Sequence, residues 1–238
     1  LALATFLLIN MKRITFVLWA LMAIMPLAAA DNSRIVQNFN FDWRFHAGDV
    51  ADAQSVSFDD GGWQSVVVPH DFQISQPWVA PAKGEKADNS DIASNVKSRL
   101  SSRGFKEMGI GWYRKTFTPD EAWKGKRILL DFEGIMLVGD VYLNGERVGG
   151  TEYGYLGFDI DVSKLLKFGQ PNVVAVKANT QNPENSRWYT GGGLFRDVNL
   201  IVTDPQQHFT RHPLYITTPK VSEAQATVMV QAEMACYL

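Results

Sequence analysis

From residue 39 onward, turn-forming residues such as Gly, Pro, Asn and Asp divide the chain into short segments. This frequent spacing of turns restricts the fold more than any other feature. Asn144-Gly145 directly follows the strand that is expected at residues 137–143. An Asn-Gly pair favours the type I′ turn of a tight β-hairpin, because both residues tolerate a positive φ. Residues 112–117 alternate in polarity and are followed by Pro119, which is typical of a strand with one buried face. The sequence therefore predicts antiparallel β-structure.

Segments of the same kind recur along the chain. Further strands are expected at residues 38–45, 66–68, 127–132, 172–178 and 194–202. Many short strands, without a regular alternation of strand and helix, favour a β-sandwich or jelly roll over a parallel sheet. Residues 161–166 are expected to form one capped helical turn, in which Asp161 or Ser163 accepts from free backbone N–H groups. The expected fold class is therefore all-β.

Residues 76–108 interrupt this pattern, because they are polar and poor in β-branched side chains. A loop of this length inside a compact domain is usually functional or disordered. Residues 91–100 within it are compatible with a short helix.

The pattern changes again after Asp204-Pro205. Residues 208–217 and 227–232 are expected to be the opening strands of a second, immunoglobulin-like β domain. The predicted organisation is a sandwich at residues 31–204 and a truncated second domain at 205–238. The chain ends before the second domain can close a core, and residues 234–238 are not expected to continue the strand alternation.

The first 30 residues have the order of a secretory signal. Met11 is followed by Lys12 and Arg13, by the apolar stretch at residues 14–27, and by three alanines at residues 28–30. This order matches a basic region, a short apolar region and a cleavage site. The stretch is shorter than the ~20 residues that span a bilayer, so no stable membrane span is expected. We expect an exported, periplasmic or extracellular protein that begins near Asp31, with residues 1–10 lying upstream of the natural start.

Composition excludes several other classes. The formal net charge of −2, without a basic cluster, argues against nucleic-acid binding. Cys236 is the one cysteine, which excludes an internal disulfide, a CxxC redox pair and a multi-cysteine zinc site. With 46% apolar and 20% charged residues, the chain has the composition of a globular protein.

Four motifs in one order resemble the N-terminal domain of glycoside hydrolase family 2, the family of many β-galactosidases, β-glucuronidases and β-mannosidases. They are WQSVVVPHDF at residues 63–72, GWYRKTF at 111–117, LDFEG with VYLNG at 130–134 and 141–145, and SRWYTGGGLFRDV at 186–198. The resemblance implies a galactose-binding-like sandwich that binds sugar. The long insertion is similar to that of β-galactosidase-like members.

The same resemblance places catalysis outside this chain. Retaining glycosidases need two carboxyl groups about 5–5.5 Å apart, and the family supplies both as glutamates of a barrel that follows its β domains. No segment matches those motifs, so no residue is assigned as catalytic, and the fragment alone is expected to be inactive. The intact protein is expected to include the missing barrel domain and to be a retaining β-glycosidase, in the first place a β-galactosidase. The alternative is a stand-alone carbohydrate-binding module without catalysis.

The resemblance also implies that the loop at residues 182–190 touches the sugar of a β-galactoside or related β-glycoside. Arg187 offers forked donors, Asn185 offers an amide, and Trp188 offers a flat apolar face. The alternative is that Trp188 and Tyr189 pack at the edge of the sandwich. Some β-galactosidases have a sodium-binding aspartate in this loop, but this sequence has Asn185, Ser186 and Arg187 there. We therefore expect no metal and no cofactor.

Three other patterns are weaker. His70-Asp71 lacks an accompanying nucleophile motif, so Asp71 is expected to cap backbone N–H groups after Pro69. Glycines 191–193 are expected to form a tight turn, because glycine lets the backbone turn where side chains would clash. They lack the spacing and the following helix of a phosphate-binding loop. Residues 159–170 lack the glycine and the glutamate of a calcium loop.

Overall fold

Two antiparallel sheets form the layers of a β-sandwich in the computed structural model, which describes residues 34–80, 104–181 and 189–237. In spatial order, the larger sheet contains β3 (Gln64–Val66), β2 (Trp43–Ala47), β4 (Ile110–Phe117), β9 (Asn172–Asn179), β6 (Val138–Leu143) and β7 (Glu146–Thr151). The smaller sheet contains β1 (Arg34–Asn38), β10 (Val198–Thr203), β5 (Arg127–Phe132) and β8 (Phe158–Asp161). The predicted all-β fold class is confirmed.

Strand alternation builds the core between the two sheets. Along β6, Val141 and Leu143 are buried while their neighbours are partly exposed, as expected from side chains that point alternately to the two faces. From the smaller sheet, Leu130 and Leu200 are buried in the same cluster. The core therefore lies between the layers, and the ends of the strands remain available for a site.

The central strand β4 is buried on both faces, contrary to the single buried face that its alternation predicts. Arg114 is only 2% exposed, because its guanidinium is bound by the loop that crosses the outer face of the larger sheet. Its Nε lies 2.8 Å from Asp60 Oδ2, and its Nη1 donates to the carbonyls of Ala53 and Ser55. A buried arginine is tolerated when its donors are paired in this way.

The predicted Asn-Gly hairpin is present between β6 and β7. Asn144 has a φ of 53° and Gly145 a φ of 93°, and Leu143 pairs with Glu146. The predicted turn after β8 is also confirmed, since Asp161 Oδ1 accepts from the Ser163 amide at 3.1 Å and the Leu166 amide donates to the Val162 carbonyl.

The predicted strand at residues 38–45 is wrong, because this segment supplies two strands that belong to different sheets. β1 ends at Asn38 and β2 begins at Trp43. Between them, Asp42 adopts a φ of 58° directly before β2, where the chain enters the larger sheet. The buried Asn40 links the layers at this corner, because it accepts from the Val198 amide and its carbonyl accepts from the Val68 amide.

Strand β10 begins at Val198 rather than at residue 194. The preceding residues form an irregular link, in which Gly193 exchanges two backbone hydrogen bonds with Met136.

Beyond the sandwich, β11 (Gln207–Val221) and β12 (Ala226–Cys236) form a two-stranded antiparallel ribbon. Both predicted strands are present and longer than expected, and residues 234–236 continue β12, contrary to expectation. Their register shifts between Phe209 and Leu214, where His212 has a φ of 53°. In the three described segments we find no helix long and apolar enough to cross a bilayer. The helix suggested for residues 91–100 lies outside the described residues.

Candidate functional site

Four segments meet at one end of the sandwich and form the candidate site. They are the start of β4, the end of β9, the residues after β3, and the glycine-rich link that precedes β10. Thr180, just beyond β9, exchanges hydrogen bonds with Gly109, just before β4: the Thr180 amide donates to the Gly109 carbonyl at 2.9 Å and the Gly109 amide donates to Thr180 Oγ1 at 3.0 Å. These bonds fix the strand ends on which the site is built.

The carboxylate of Asp71 organises this end of the molecule. Its Oδ1 accepts from the amides of Gln73 at 3.0 Å and Gly192 at 2.8 Å, and its Oδ2 accepts from the Tyr189 hydroxyl at 2.7 Å. The predicted capping role of Asp71 is confirmed, and it extends to a segment more than a hundred residues away. Hydrogen bonds to a charged acceptor are stronger than neutral ones. Asp71 therefore joins the residues after β3 to the link that precedes β10.

Tyr189 acts as the donor in this network. Burial, together with the hydrogen bond to the Asp71 carboxylate and its charge, raises the pKa of the Tyr189 phenol. The phenol therefore keeps its proton at physiological pH and remains a donor to Asp71. This contact places the residue that directly follows Trp188.

His70, which directly precedes Asp71, forms a second pair with Tyr113. The Tyr113 hydroxyl donates to the His70 carbonyl at 3.2 Å and lies 3.0 Å from His70 Nδ1. The Tyr113 hydroxyl thus contacts both the main chain and the ring of His70. Burial lowers the pKa of His70, against the opposing charge of Asp71, and burial raises the pKa of Tyr113. Both side chains are therefore neutral supports, and Phe45 packs against both rings.

The three glycines at residues 191–193 are required by the close approach of this network. Gly191 and Gly193 have φ values of 75° and 106°, which side chains rarely adopt. A Cβ at Gly191 would lie 2.8 Å from Asp71 Oδ2, and a Cβ at Gly193 would collide with the Tyr113 hydroxyl. The predicted tight turn is confirmed, and its cause is the space that Asp71 and Tyr113 occupy.

Gln73 lies directly behind the glycine turn and is fully buried. Neither its Nε2 nor its Oε1 has a hydrogen-bond partner among the described residues. A buried amide without partners costs free energy. Gln73 therefore supplies hydrogen-bonding capacity that the described part of the site does not use.

The base of the long insertion borders the same end of the sandwich. Trp78 pairs with Lys106 as an isolated bridge, and Lys106 Nζ lies 3.9 Å from the centre of the Trp78 ring. At 73% exposure, Trp78 presents a large aromatic face to solvent. A Cβ at Gly104 would lie 3.7 Å from the Tyr189 ring, so this base approaches the Asp71 network. Trp78 lies outside the four sequence motifs, so it was not predicted as a site residue.

The predicted sugar-binding residues Asn185, Arg187 and Trp188 lie outside the described residues, so their roles stay predictions. The structure places the residues that flank them. On one side, the Gln181 amide donates to Asn179 Oδ1 at 2.9 Å, and on the other side Tyr189 is held by Asp71. Both attachment points of the predicted binding loop are therefore at the candidate site.

No group of three or more His, Cys, Asp or Glu side chains within residues 34–80, 104–181 and 189–237 is arranged to hold a metal ion. Asp161, part of the rejected calcium pattern, is paired with Arg127 at 3.1 Å.

Known proteins are similar to this chain over most of its length. The family model for the sugar-binding domain of glycosyl hydrolases family 2 matches residues 36–205. The chain is 36% identical over 207 residues to the β-galactosidase BoGH2A of Bacteroides ovatus, a match that covers 85% of this chain and 22% of that protein. It is 30% identical over 224 residues to a β-glucuronidase of Formosa agariphila, which covers 85% of this chain and 21% of that protein.

Solved structures agree with the sequence relatives. A β-glycosidase from Bacteroides vulgatus has a TM-score of 0.71 and 32% identity, with 86% of this chain and 24% of that chain covered. The chain thus spans about a fifth of the length of the two curated relatives. The family match covers the sandwich, including the Asp71 network and the glycine turn. The chain therefore belongs to glycoside hydrolase family 2, whose sugar-binding domain it carries.

Proposed function

We propose that this chain is the sugar-binding part of an exported β-glycosidase, with a β-galactoside as the first candidate substrate. The observation that carries the proposal is the hydrogen bond from Tyr189 to Asp71, because it anchors one end of the predicted binding loop at the glycine turn. Asn185, Arg187 and Trp188 then supply an amide, a guanidinium and an aromatic face to one sugar ring. The matched β-galactosidase of Bacteroides ovatus supports galactose as the sugar.

A β-glucuronide is the second candidate substrate. Relatives of this chain include β-glucuronidases, and a glucuronide carries a carboxylate that a galactoside lacks. Arg187 is a suitable partner for that carboxylate, because a guanidinium binds carboxylate oxygens with two parallel hydrogen bonds. The two substrates therefore differ in how strongly binding depends on the charge of Arg187.

Binding of galactose and glucuronate to the chain starting at Asp31 separates the candidates. We expect dissociation constants in the millimolar range, about −4 kcal/mol, because one loop contacts only one side of the sugar. If galactose shifts the NMR signals of Tyr189, the glycine turn and the Trp188 indole, a galactoside site is supported. Loss of the shifts at Tyr189 and the glycine turn in Trp188→Ala supports the stacking role of Trp188.

The Arg187→Gln variant completes this test. A galactoside site keeps part of its galactose affinity in this variant, whereas a glucuronide site loses glucuronate binding entirely. Absence of shifts at Tyr189 and at the glycine turn with both sugars rejects the proposal. Micromolar binding that ignores both substitutions favours the alternative of an independent carbohydrate-binding module.

We further propose that the catalytic glutamate pair is supplied by a barrel domain of the intact protein, because two carboxyl groups are needed for glycoside hydrolysis. Export is tested by expressing the chain with its own N-terminus in a bacterium and sequencing the periplasmic form. We expect a new N-terminus near Asp31. If the chain stays in the cytoplasm with its N-terminus still including Met11, the export proposal is rejected.

A further inference from the structure

A second cleft lies away from the Asp71 network, between the outer face of the smaller sheet and the irregular part of β11. Its volume is about 840 Å³, and Leu129, Ile201 and Leu214 contribute apolar walls. Volumes of this size are usual for small-molecule sites, which span about 300–1,000 Å³. We propose that this cleft is a second saccharide-binding site, selective for a neutral oligosaccharide.

The walls of the cleft are held in place by an ion pair between the sandwich and the ribbon. Arg211 Nε and Nη2 both donate to Asp131 Oδ1, at 3.1 and 2.8 Å. Asp131 is only 9% exposed. A Cβ at Gly157 would lie 2.9 Å from the Phe132 carbonyl oxygen and 2.5 Å from Arg211 Nη2, so the glycine leaves room beside the guanidinium. The cleft therefore exists before any ligand binds, which lowers the cost of binding.

A buried hydroxyl in the floor of the cleft lacks a partner. Thr203 lines the cleft and is 5% exposed, and its Oγ1 has no hydrogen-bond partner among the described residues. A buried hydroxyl without a hydrogen bond is unfavourable. Because Oγ1 is itself shielded from solvent, a ligand hydroxyl pairs with it only after the Thr203 side chain rotates towards the cleft, and an apolar ligand offers it no partner.

One end of the cleft offers an aromatic surface. Tyr155 is 38% exposed and packs edge-on against Phe195, with the ring centres 6.4 Å apart. Arg196 Nη1 donates to the Tyr155 carbonyl at 3.3 Å and steadies the loop that carries this ring. An exposed tyrosine presents an apolar face and a polar edge, as a pyranose ring requires. Leu156, at 65% exposure, extends the same surface.

The charges around the cleft offer little attraction to an ionic ligand. Four arginines and three carboxylates line it: Arg34, Arg127, Arg196 and Arg211, with Asp131, Glu133 and Asp159. Because the two signs nearly cancel, a polyanion gains little from the field of the cleft. Guanidinium donors beside carboxylate acceptors instead match hydroxyl groups, which both donate and accept. This balance distinguishes the cleft from an acidic-sugar or nucleic-acid site.

Titration of the full chain with lactose, cellobiose and mannobiose, followed by NMR, tests this proposal. We expect at least one of these disaccharides to shift the signals of Gly157, Thr203 and the Arg211 Nε–H at millimolar concentration. Thr203→Val and Tyr155→Ala are each expected to weaken that binding by about fivefold or more, because one removes the hydroxyl and the other the ring.

Two controls keep the result specific. Tyr215→Ala removes an exposed tyrosine of β11 that lies outside the lining of the cleft, and it is expected to leave the affinity unchanged. Thr203→Val is expected to melt no lower than the wild type, since it removes an unpaired polar atom, so lost binding is not lost folding.

The test also separates this cleft from the first site. Tyr189→Phe is expected to leave the shifts at Gly157 and Thr203 intact even where it abolishes those at the glycine turn. The proposal is overturned if no disaccharide shifts the lining residues at about 50 mM, well above a millimolar dissociation constant. Binding that survives both Thr203→Val and Tyr155→Ala, or a cleft closed by another part of the protein, also overturns it.

Discussion

Tyr189 donates its phenolic hydrogen to Oδ2 of Asp71 across 2.7 Å, although 118 residues separate the two in the chain. The other oxygen of the same carboxylate receives the amides of Gln73 and Gly192. One acidic side chain thus determines where the predicted sugar-binding loop rejoins the sandwich. Disturbing Asp71 or its partners should therefore affect recognition more than the stability of the core.

Removal of the Tyr189 hydroxyl tests this relationship. We expect Tyr189→Phe to lower the free energy of unfolding by only about 1 kcal/mol, because the bond is partly exposed to solvent. The same variant should reduce the free energy of galactose binding by more than it reduces the free energy of unfolding, since the loop loses its anchor. Urea unfolding and NMR titration measure the two effects. Tyr153→Phe, an exposed tyrosine away from Asp71, should change neither.

A methyl group at the glycine turn should be poorly tolerated. In Gly192→Ala, the new Cβ would lie 2.8 Å from Thr180 Cγ2 and 3.2 Å from Gln73 Cβ. We expect a destabilisation of about 1–3 kcal/mol, as for other overpacked sites. Gly62→Ala is the matched control, because nothing lies within 4 Å of its added Cβ. Equal melting temperatures for the two variants would show that the turn relaxes freely.

Asn40 should be among the most sensitive polar residues of the sandwich. Asn40→Leu leaves the Asp197 carboxylate and the Val198 amide without their partners, which lie at 2.9 and 2.8 Å. Two unpaired groups of this kind should cost about 3 kcal/mol. Gln37→Leu, on the exposed side of β1, should cost little. Chemical denaturation gives both values, and a small loss for Asn40→Leu would contradict this role.

Acidification should destabilise the chain through His70. Burial lowers the pKa of His70 below its usual value of 6.5, so the folded state favours the neutral imidazole. The neutral imidazole contributes fully to the free energy of unfolding above the pKa that His70 has in the unfolded chain. The contribution is lost as the pH falls from that value towards the lower pKa of the folded state. His70→Gln should therefore flatten the fall in unfolding free energy below a pH of about 6.5. An unchanged pH profile in this variant would contradict the assignment.

The ribbon should loosen when its ion pair is removed. Arg211→Met leaves the nearly buried Asp131 without its partner. We expect the amides of β11 to exchange hydrogen about tenfold faster, because a partly buried charged pair contributes on the order of 1.4 kcal/mol. Arg127→Met removes a pair within the smaller sheet and should leave this exchange unchanged. Equal exchange in the two variants would mean that other contacts hold the ribbon.

Local features of the fold were predictable from the sequence wherever the decisive interactions are local. The bounds of β5 agree with the expected strand, and Asn144-Gly145 adopts the turn that its residue types favour. The capping role of Asp71 was also predictable, because its partner Gln73 is two residues away.

Features that depend on distant partners were not predictable in the same way. Arg114 stands at an alternating position of β4 but is buried, since its acceptors come from a loop more than fifty residues earlier. No local pattern pairs Asp71 with Tyr189 or exposes Trp78 beside Lys106. The boundary at residues 39–42 was missed because the alternation of side chains continues through a residue with a positive φ.

The passage of residues 34–47 from one sheet to the other constrains how the sandwich can assemble. β1 pairs with β10 in one layer, and β2 pairs with β4 in the other. Only four residues connect β1 to β2, so neither layer can slip along the other without misaligning pairs in both. A partly folded state in which only one layer is complete is therefore expected to be unstable. The two layers should instead gain protection from hydrogen exchange together, as one cooperative unit.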